Sequence, residues 1–255
     1  MDRQSESEAD APDPSELDLE ELLSLTAHEL HEPLRKISAF GDMLKEHAGP
    51  ALDRESLDYL ERIERATERM RTTLSRVIAF ARVPRGLPFV TIDLEETAFS
   101  AVEKLRDAIN MTGGTVVVEP LPFIAGDPFQ MQQLFEQLLD NAMKFRKPEE
   151  APVVKITTLP DPPAGLCAVR ISDNGEGFDN VYAERIFRPF ERLHGKGKYP
   201  GAGLGLAICQ KIARRHGGKV IANGTPGVGA VFTALFPALK TKSRNEGKDR
   251  ERTGA

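Results

Sequence analysis

The run Leu25-Thr26-Ala27-His28-Glu29-Leu30-His31-Glu32-Pro33-Leu34-Arg35 decides how the chain is read, because it sets a reactive imidazole into a helical repeat. Leu23, Ala27, Leu30, Leu34, Ile37, Gly41 and Leu44 recur in alternating steps of four and three, the period of a seam between packed helices. His28 follows the seam position Ala27 and so lies about 100° around the helix from it, on the flank or outside, where solvent and a second domain reach it. With Glu29 beside it, an imidazole of near-neutral pKa is a competent nucleophile. The same run is also compatible with a surface histidine in a charged helix. Zinc is disfavoured, since the metalloprotease pattern needs a second histidine where Glu32 stands.

Outward from this run, a helix is predicted over residues 18–46, opened by the capping-box pair Asp18 and Glu21. Pro33 removes a backbone donor and is expected to bend it just past His28. His47-Ala48-Gly49-Pro50 ends the helix, and a second is predicted over 53–82 with the seam Leu60, Ile63, Thr67, Met70, Leu74, Val77 and Ala81. Two helices of roughly 40 Å, at 1.5 Å per residue, hide such seams poorly as a lone hairpin. The heptads favour a homodimeric four-helix bundle; a hairpin packed on the rest of its own chain is the other reading.

The chain's 255 residues, 40% of them hydrophobic, can fill one sizeable domain or two small ones, and two unequal units are expected. A net charge of -5 gives no reason to invoke nucleic acid or an anionic membrane. No run approaches the roughly 20 apolar residues of a bilayer span, and Met1-Asp2-Arg3-Gln4-Ser5-Glu6 lacks the features of a signal peptide, so a cytoplasmic protein without membrane insertion is expected. Residues 1–17 read as a disordered acidic lead and 239–255 as a disordered tail of mixed charge. Cys167 and Cys209 sit in apolar stretches without metal-ligand spacing and read as buried, reduced thiols.

Val83-Pro84-Arg85-Gly86-Leu87-Pro88 halts the helices, with 84–88 as linker, and the period then changes. Strands are predicted over 89–92, 115–119, 153–159, 166–172, 219–223 and 230–236, and helices over 94–110, 128–144 and 204–216. This is an α/β sandwich, helices on one face of a mixed sheet, filling 89–238. Asp127 can cap the middle helix with Pro128 at its first position, and Asn141 near its end offers the hard neutral oxygen that Mg²⁺ accepts alongside water and phosphates. Lys144 and Lys147 lie close by for phosphate charge. Asp173-Asn174-Gly175-Glu176-Gly177, directly after a strand, is either a glycine-permitted turn or a base site. In the second reading Asp173 accepts a hydrogen bond from an adenine amino group and the glycines admit backbone to the base. Gly201-Ala202-Gly203-Leu204-Gly205 opens the last helix, where free amides and the positive dipole end favour polyphosphate.

These residues resemble the two-component sensor histidine kinases over about residues 20–237. The resemblance implies an α+β chain: an antiparallel helical hairpin forming a dimeric four-helix bundle (18–83), then an α/β sandwich ATP-binding domain of the Bergerat type (89–238). The His-Glu-Leu-x-x-Pro-Leu run is similar to the family's phosphoacceptor motif, making His28 the phosphorylated residue and Glu29 its acid-base partner. Leu139-Asp140-Asn141-Ala142-Met143-Lys144-Phe145 resembles the asparagine motif, implying Asn141 as Mg²⁺ ligand and Lys144 as phosphate contact. Asp173, Gly175 and Gly177 match the adenine motif. Ile186-Phe187-Arg188-Pro189-Phe190-Glu191-Arg192 is similar to the phenylalanine motif, and Gly201, Gly203, Leu204 and Gly205 fall in the glycine motif of the ATP lid. Gly227-Val228-Gly229-Ala230-Val231-Phe232 is close to the last glycine motif.

What the resemblance implies is an ATP- and Mg²⁺-dependent homodimeric kinase that phosphorylates His28 under a lid spanning 178–200. It would pass the group to an aspartate on a response-regulator receiver domain, and a separate sensory partner is one source of its input that stays open. Phe187 and Phe190 are equally readable as packing at the lid hinge. A non-kinase ATPase switch and a dimeric signalling adaptor of the same fold stay open. The departures from the family pattern are Gln137 for a common asparagine, Ala230 for a threonine, and Glu32 where phosphatase-competent members carry Thr or Asn. Glu32 implies weak dephosphorylation of the partner: phosphorylated receiver domain should lose its phosphate slowly when this chain and ADP are added, and rapid loss refutes the assignment.

Overall fold

The computed structural model describes the backbone of residues 14–193, 199 and 201–239, and the side chains among them from Glu29 onward apart from Pro50. Most of the predicted lead and tail therefore lie outside the described residues. Helix α1 (Pro14–Ala48) starts at Pro14, whose missing N–H suits a first turn, so Asp18 and Glu21 stand inside the helix rather than at its cap. It runs on through Pro33 and closes on a 3-10 turn, Gly49–Ala51. Helix α2 (Arg54–Arg82) is capped by Asp53, whose carboxylate accepts the Ser56 N–H at 2.8 Å.

The hairpin satisfies half of its seam. Leu34 and Gly41 of α1 and Leu60, Thr67 and Ala81 of α2 are buried, each seven residues from another or a multiple of it. Leu30, Ile37 and Leu44, with Ile63 and Met70, occupy the alternate seam positions and are exposed. At the far end of α2, Val77, Ala79 and Phe80 pack against the core of the following domain. That end realises the packing of the hairpin on its own chain.

The second unit runs β1 (Val90–Asp93), α3 (Leu94–Lys104), α4 (Arg106–Met111), β2 (Thr115–Val118), β3 (Phe123–Gly126), α5 (Pro128–Lys144), β4 (Val153–Thr158), β5 (Leu166–Asp173), α6 (Gly205–Arg215), β6 (Lys219–Thr225) and β7 (Gly229–Pro237). Five strands form one sheet in the order β2-β4-β5-β7-β6, with β2 parallel to β4 and the remaining pairs antiparallel, so the sheet is mixed as expected. Val154, Ile156, Ile171, Phe232 and Phe236 of the strands meet Leu134, Leu138 and Leu139 of α5 and Ile208 and Ile212 of α6 in one core. Two expectations are corrected. The helix predicted over 94–110 is broken at Leu105, whose N–H is shared between the Ala101 and Val102 carbonyls at 3.2 and 3.1 Å. The short strand β3, paired antiparallel with β1, was hidden in a Pro-flanked run with only one β-branched residue.

The linker is held at every step. Asp127, 1% exposed, accepts the Phe129 and Gln130 amides of α5 on Oδ1, and the Leu87 amide and Arg215 Nη1 on Oδ2. Gln130 donates to the Val83 carbonyl at 2.7 Å, and Arg215 donates to the Leu87 carbonyl at 2.8 Å. A Cβ on Gly86 would overlap Gln130, Asp127 and Arg215, so this clamp admits only glycine there.

His216 completes the clamp from α6. Its Nε2 accepts the Asp127 N–H at 2.9 Å, so Nδ1 carries the proton and donates to the Ile212 carbonyl at 2.8 Å; the ring stacks on Phe89 at 4.5 Å. Burial pushes this imidazole below its ordinary value, with the Ile212 carbonyl pulling upward and Arg215 and Asp127 acting in opposite senses. The unfolded chain then binds the proton more readily than the folded one, so this group's stabilisation is whole above the unfolded value and is lost as pH falls. Urea unfolding midpoints should drop between pH 7.5 and pH 5.5, and a His216→Gln variant should show a flatter pH dependence.

Candidate functional site

β5 ends on Asp173, where the strand leaves the sheet, and the aspartate lines a cleft between α5, the start of α6 and the 186–193 segment. Its Oδ1 accepts the Gly175 N–H at 2.9 Å and the Ala230 N–H at 3.2 Å, which fixes the carboxyl plane. Among the described residues no donor reaches Oδ2, which is left for a ligand. Burial pushes the carboxyl above the usual carboxylate range and the two amides pull it back. Ala230, in place of a threonine, lacks the hydroxyl but keeps this backbone donor.

The glycines next to Asp173 serve the chain before any ligand. A Cβ on Gly177, whose φ is 64°, would overlap the Thr225 and Gly229 carbonyls, and one on Gly175 would lie 2.6 Å from the Phe145 carbonyl. Both pack the Asp173 turn closely against the β6–β7 hairpin and the end of α5, and Gly177 also lines the cleft.

α5 carries Asn141 and Lys144 to the cleft, both half-buried. Burial lowers Lys144 from its ordinary value; Asp140 opposes this, while Arg76 and Arg192 add to it. Lys147 takes no part, being paired with Glu150 at 3.1 Å. Gln137 turns its amide toward the first residue of α6: a Cβ on Gly205 would stand 2.8 Å from its Oε1. Among the described residues no side chain caps α6, which leaves its first amides available to an anion. Gly203 and Gly205 line the cleft, and Gly201 adjoins Lys144. The Leu204 side chain is 1% exposed in the core, so only its backbone is available to a ligand.

Of the lid expected over 178–200, the first half is held against the rest of the unit. Asn180 bonds Asn223 and Gly224 of β6 at 2.9 and 2.8 Å, Phe178 abuts Gly224, and Ile186 and Phe187 pack into the core, which ties down the first half. Residues 194–198 and 200 lie outside the described ones. Phe190 is exposed at a φ of 63° and donates its N–H to the Gly203 carbonyl at 2.9 Å, so of the two phenylalanines only Phe187 is packed. Past it, Arg192 holds the Tyr199 carbonyl at 2.6 Å, and the Tyr199 ring meets Phe145 edge-on at 4.8 Å across the cleft.

Arg76, Phe145, Phe178, Arg192 and Tyr199 also line the cleft and were missed by sequence reasoning. Arg76 gave no signal, since an arginine beside a helical seam reads as solvated face. Glu29 is exposed on α1; His28 is in the same helix and its side chain lies outside the described residues. Cys209 is buried and Cys167 half-buried, both free thiols, and burial raises both.

Residues 18–86 match the His Kinase A (phospho-acceptor) domain, and residues 126–240 match the histidine kinase-, DNA gyrase B- and HSP90-like ATPase domain. The chain is 32% identical over 224 residues to the phytochrome-like protein Cph1 of Synechocystis sp., covering 88% of this chain and 30% of that protein. It is 27% identical over 237 residues to the sensor histidine kinase GacS of Pseudomonas protegens, covering 89% and 25%. Full-length ShkA, crystallised with AMPPNP, is a structural neighbour with a TM-score of 0.65 and 26% identity, over 85% of this chain and 45% of that one. The chain thus spans less than a third of the two curated relatives.

Since burial penalises the ionised Asp173, the carboxylate is a liability to the fold at neutral pH, present once pH exceeds its folded pKa and absent in acid. Asp173→Asn keeps the Oδ1 acceptor and removes the charge. Its unfolding free energy at pH 7.5 should equal or exceed that of the wild type, and a loss of more than about 1 kcal/mol, one weak hydrogen bond, counts against this account.

Proposed function

The chain belongs to the sensor histidine kinases, and from that premise we propose that it binds ATP at Asp173 and transfers the γ-phosphoryl group to His28. One observation carries the reading. Asp173, Asn141, Lys144 and an uncapped helix N-terminus converge in a single cleft, on a chain whose hairpin holds His28 and Glu29. Asp173 Oδ2 accepts the adenine amino group, while Gly175, Gly177 and Gly229 keep its turn tight enough to aim it. Lys144 and the amides at Gly203, Leu204 and Gly205 hold the phosphates. The Lys144 ammonium is a compact point charge suited to that role.

Among the described residues there is no cluster of three or more His, Cys, Asp or Glu to hold a metal. The half-buried amide of Asn141 nonetheless suits Mg²⁺, which is commonly held by few protein ligands plus phosphates and water. Asn141 would hold the ion, and the ion would neutralise phosphate charge. The transfer itself is in-line: a ring nitrogen of His28 bonds to the γ-phosphorus, the bond to the bridging oxygen breaks and leaves with ADP, and Glu29 accepts the ring proton. The phosphoryl group then passes to an aspartate of a response-regulator receiver domain.

The exposed seam of Leu30, Ile37, Leu44, Ile63 and Met70 supports a homodimeric four-helix bundle, since a second hairpin would cover it. The working layout is a phosphoacceptor unit over 18–83, a linker over 84–88 and an ATP-binding unit over 89–238. Among the described residues no helix is long and apolar enough to cross a membrane. No observation favours the ATPase switch or the adaptor.

Incubation with ATP labelled at the γ-phosphate and Mg²⁺ tests this. Wild type should take up label that is acid-labile and alkali-stable, and His28→Ala and Asp173→Asn should fall to background. Unchanged ATP turnover in His28→Ala without label in the wild type would indicate a switch, and failure of the wild type to bind ATP an adaptor.

A further inference from the structure

Among the described residues lining the cleft, Arg76 alone comes from the helical hairpin. It reaches the cleft because the last turns of α2 lie on the ATP-binding unit: Val77, Ala79 and Phe80 pack against its core, and Lys211 of α6 sits 4.7 Å from the centre of the Phe80 ring. Arg76 Nη2 stands 3.6 Å from Asp140 Oδ2, a loose pair with 27% of the arginine side chain exposed. Its other terminal nitrogen, Nη1, points at Gly201, where a Cβ would meet Lys144 Nζ at 2.9 Å and Arg76 Nη1 at 3.4 Å.

Two cations thus meet over the start of the glycine run and share the single carboxylate of Asp140. The acids that line the cleft are Glu191, already paired with Arg185 at 2.7 Å, and Asp173, whose Oδ1 accepts two backbone amides; among the described residues neither is paired with Arg76 or Lys144. The local charge is therefore positive beside free helix amides, which is an unbalanced arrangement until an anion enters. Arginine suits that anion, because its planar fork bonds phosphate oxygens in pairs.

We propose that Arg76 is a nucleotide-binding residue delivered by the helical hairpin, contacting the phosphates of the nucleotide in the cleft. Triphosphate binding and docking of α2 on the ATP-binding unit then form one equilibrium. The proposal rests on the reading of the cleft as an ATP site. Linkage makes the effect mutual: the docked hairpin tightens ATP binding by the factor with which ATP favours docking. Motion of the hairpin, whatever drives it, thereby reaches the nucleotide through one side chain.

Calorimetric titration of ATP and of adenosine into wild type, Arg76→Ala and Asp140→Asn tests the inference. Arg76→Ala should bind ATP about tenfold more weakly, the scale of one charge-assisted contact, and adenosine with unchanged affinity, which also certifies its fold. Asp140→Asn should bind ATP as well as or better than wild type, because it removes a negative charge near the phosphates and releases Arg76. If Arg76 merely pins α2 through Asp140, both variants weaken ATP binding alike, and that outcome overturns the proposal. So does an Arg76→Ala affinity for ATP within twofold of wild type. Hydrogen exchange adds a second readout: ATP should slow exchange in residues 76–82 of wild type and leave it unchanged in Arg76→Ala. Absence of ATP binding to the wild type removes the functional reading and this inference together, whereas normal wild-type binding with an unaffected Arg76→Ala removes this inference alone.

Discussion

A buried carboxylate, Asp127, ties together three parts of the molecule that no local rule would bring into register. It caps α5, takes the Leu87 amide of the linker, and pairs with Arg215 of α6, while its own N–H is held by His216. Each of these bonds fixes the base of an element whose other end reaches the cleft. α5 ends with Asn141 and Lys144, α6 begins at the glycine run, and the linker sets where α2 lies and hence where Arg76 points. Such a group is nearly irreplaceable, because its removal leaves several buried donors without acceptors. The ATP-binding unit and the hairpin are therefore joined by a clamped segment rather than by a slack tether.

Asp173 shows the opposite use of burial. Asp127 is engaged on both oxygens, whereas Asp173 lines the cleft with only its Oδ1 engaged among the described residues, so desolvation is only partly offset. A fold selected for stability alone would fill this place with an amide or an apolar side chain. A carboxylate kept at a stability penalty, oriented by two backbone amides, is what a site for a hydrogen-bond donor such as an adenine amino group demands.

Much of the architecture was legible because it is written in periods. The heptads of α1 and α2, the Asp127-Pro128 start of α5 and the alternating strands β4 to β7 all depend on local patterns. What was missed depends on contacts between distant segments. β3 exists because β1 pairs with it, not because Phe123-Ile124-Ala125-Gly126 prefers extended backbone. Leu105 interrupts a continuous helical pattern, a detail of bonding that propensity does not encode. Within the site, Asp173, Asn141 and Lys144 were legible as chemistry, whereas Arg76 comes to the cleft through the docking of α2, and Arg192 and Tyr199 through the bond between them and the contact of Tyr199 with Phe145. Gly175 and Gly177 were legible as necessary glycines, and the neighbouring carbonyls of Thr225, Gly229 and Phe145 add a packing reason that sequence alone does not show.

The hairpin's two exposed needs lie at different heights along it, and this separation has a mechanical consequence. Leu30, Ile37, Leu44, Ile63 and Met70 are exposed over the middle and the turn end, whereas Val77, Ala79 and Phe80 pack on the chain's own second domain. In the proposed dimer one stretch of α2 would serve the bundle and the next the ATP-binding unit. A seam residue cannot satisfy both partners at once, so any rotation of the helices that improves burial on one side disturbs packing on the other. Because packed interfaces switch between discrete arrangements rather than deform smoothly, a change imposed on the bundle is transmitted to the cleft as a gain or loss of docking. Arg76 sits at the boundary between the two stretches, directly before Val77, which is where such a change would be felt first.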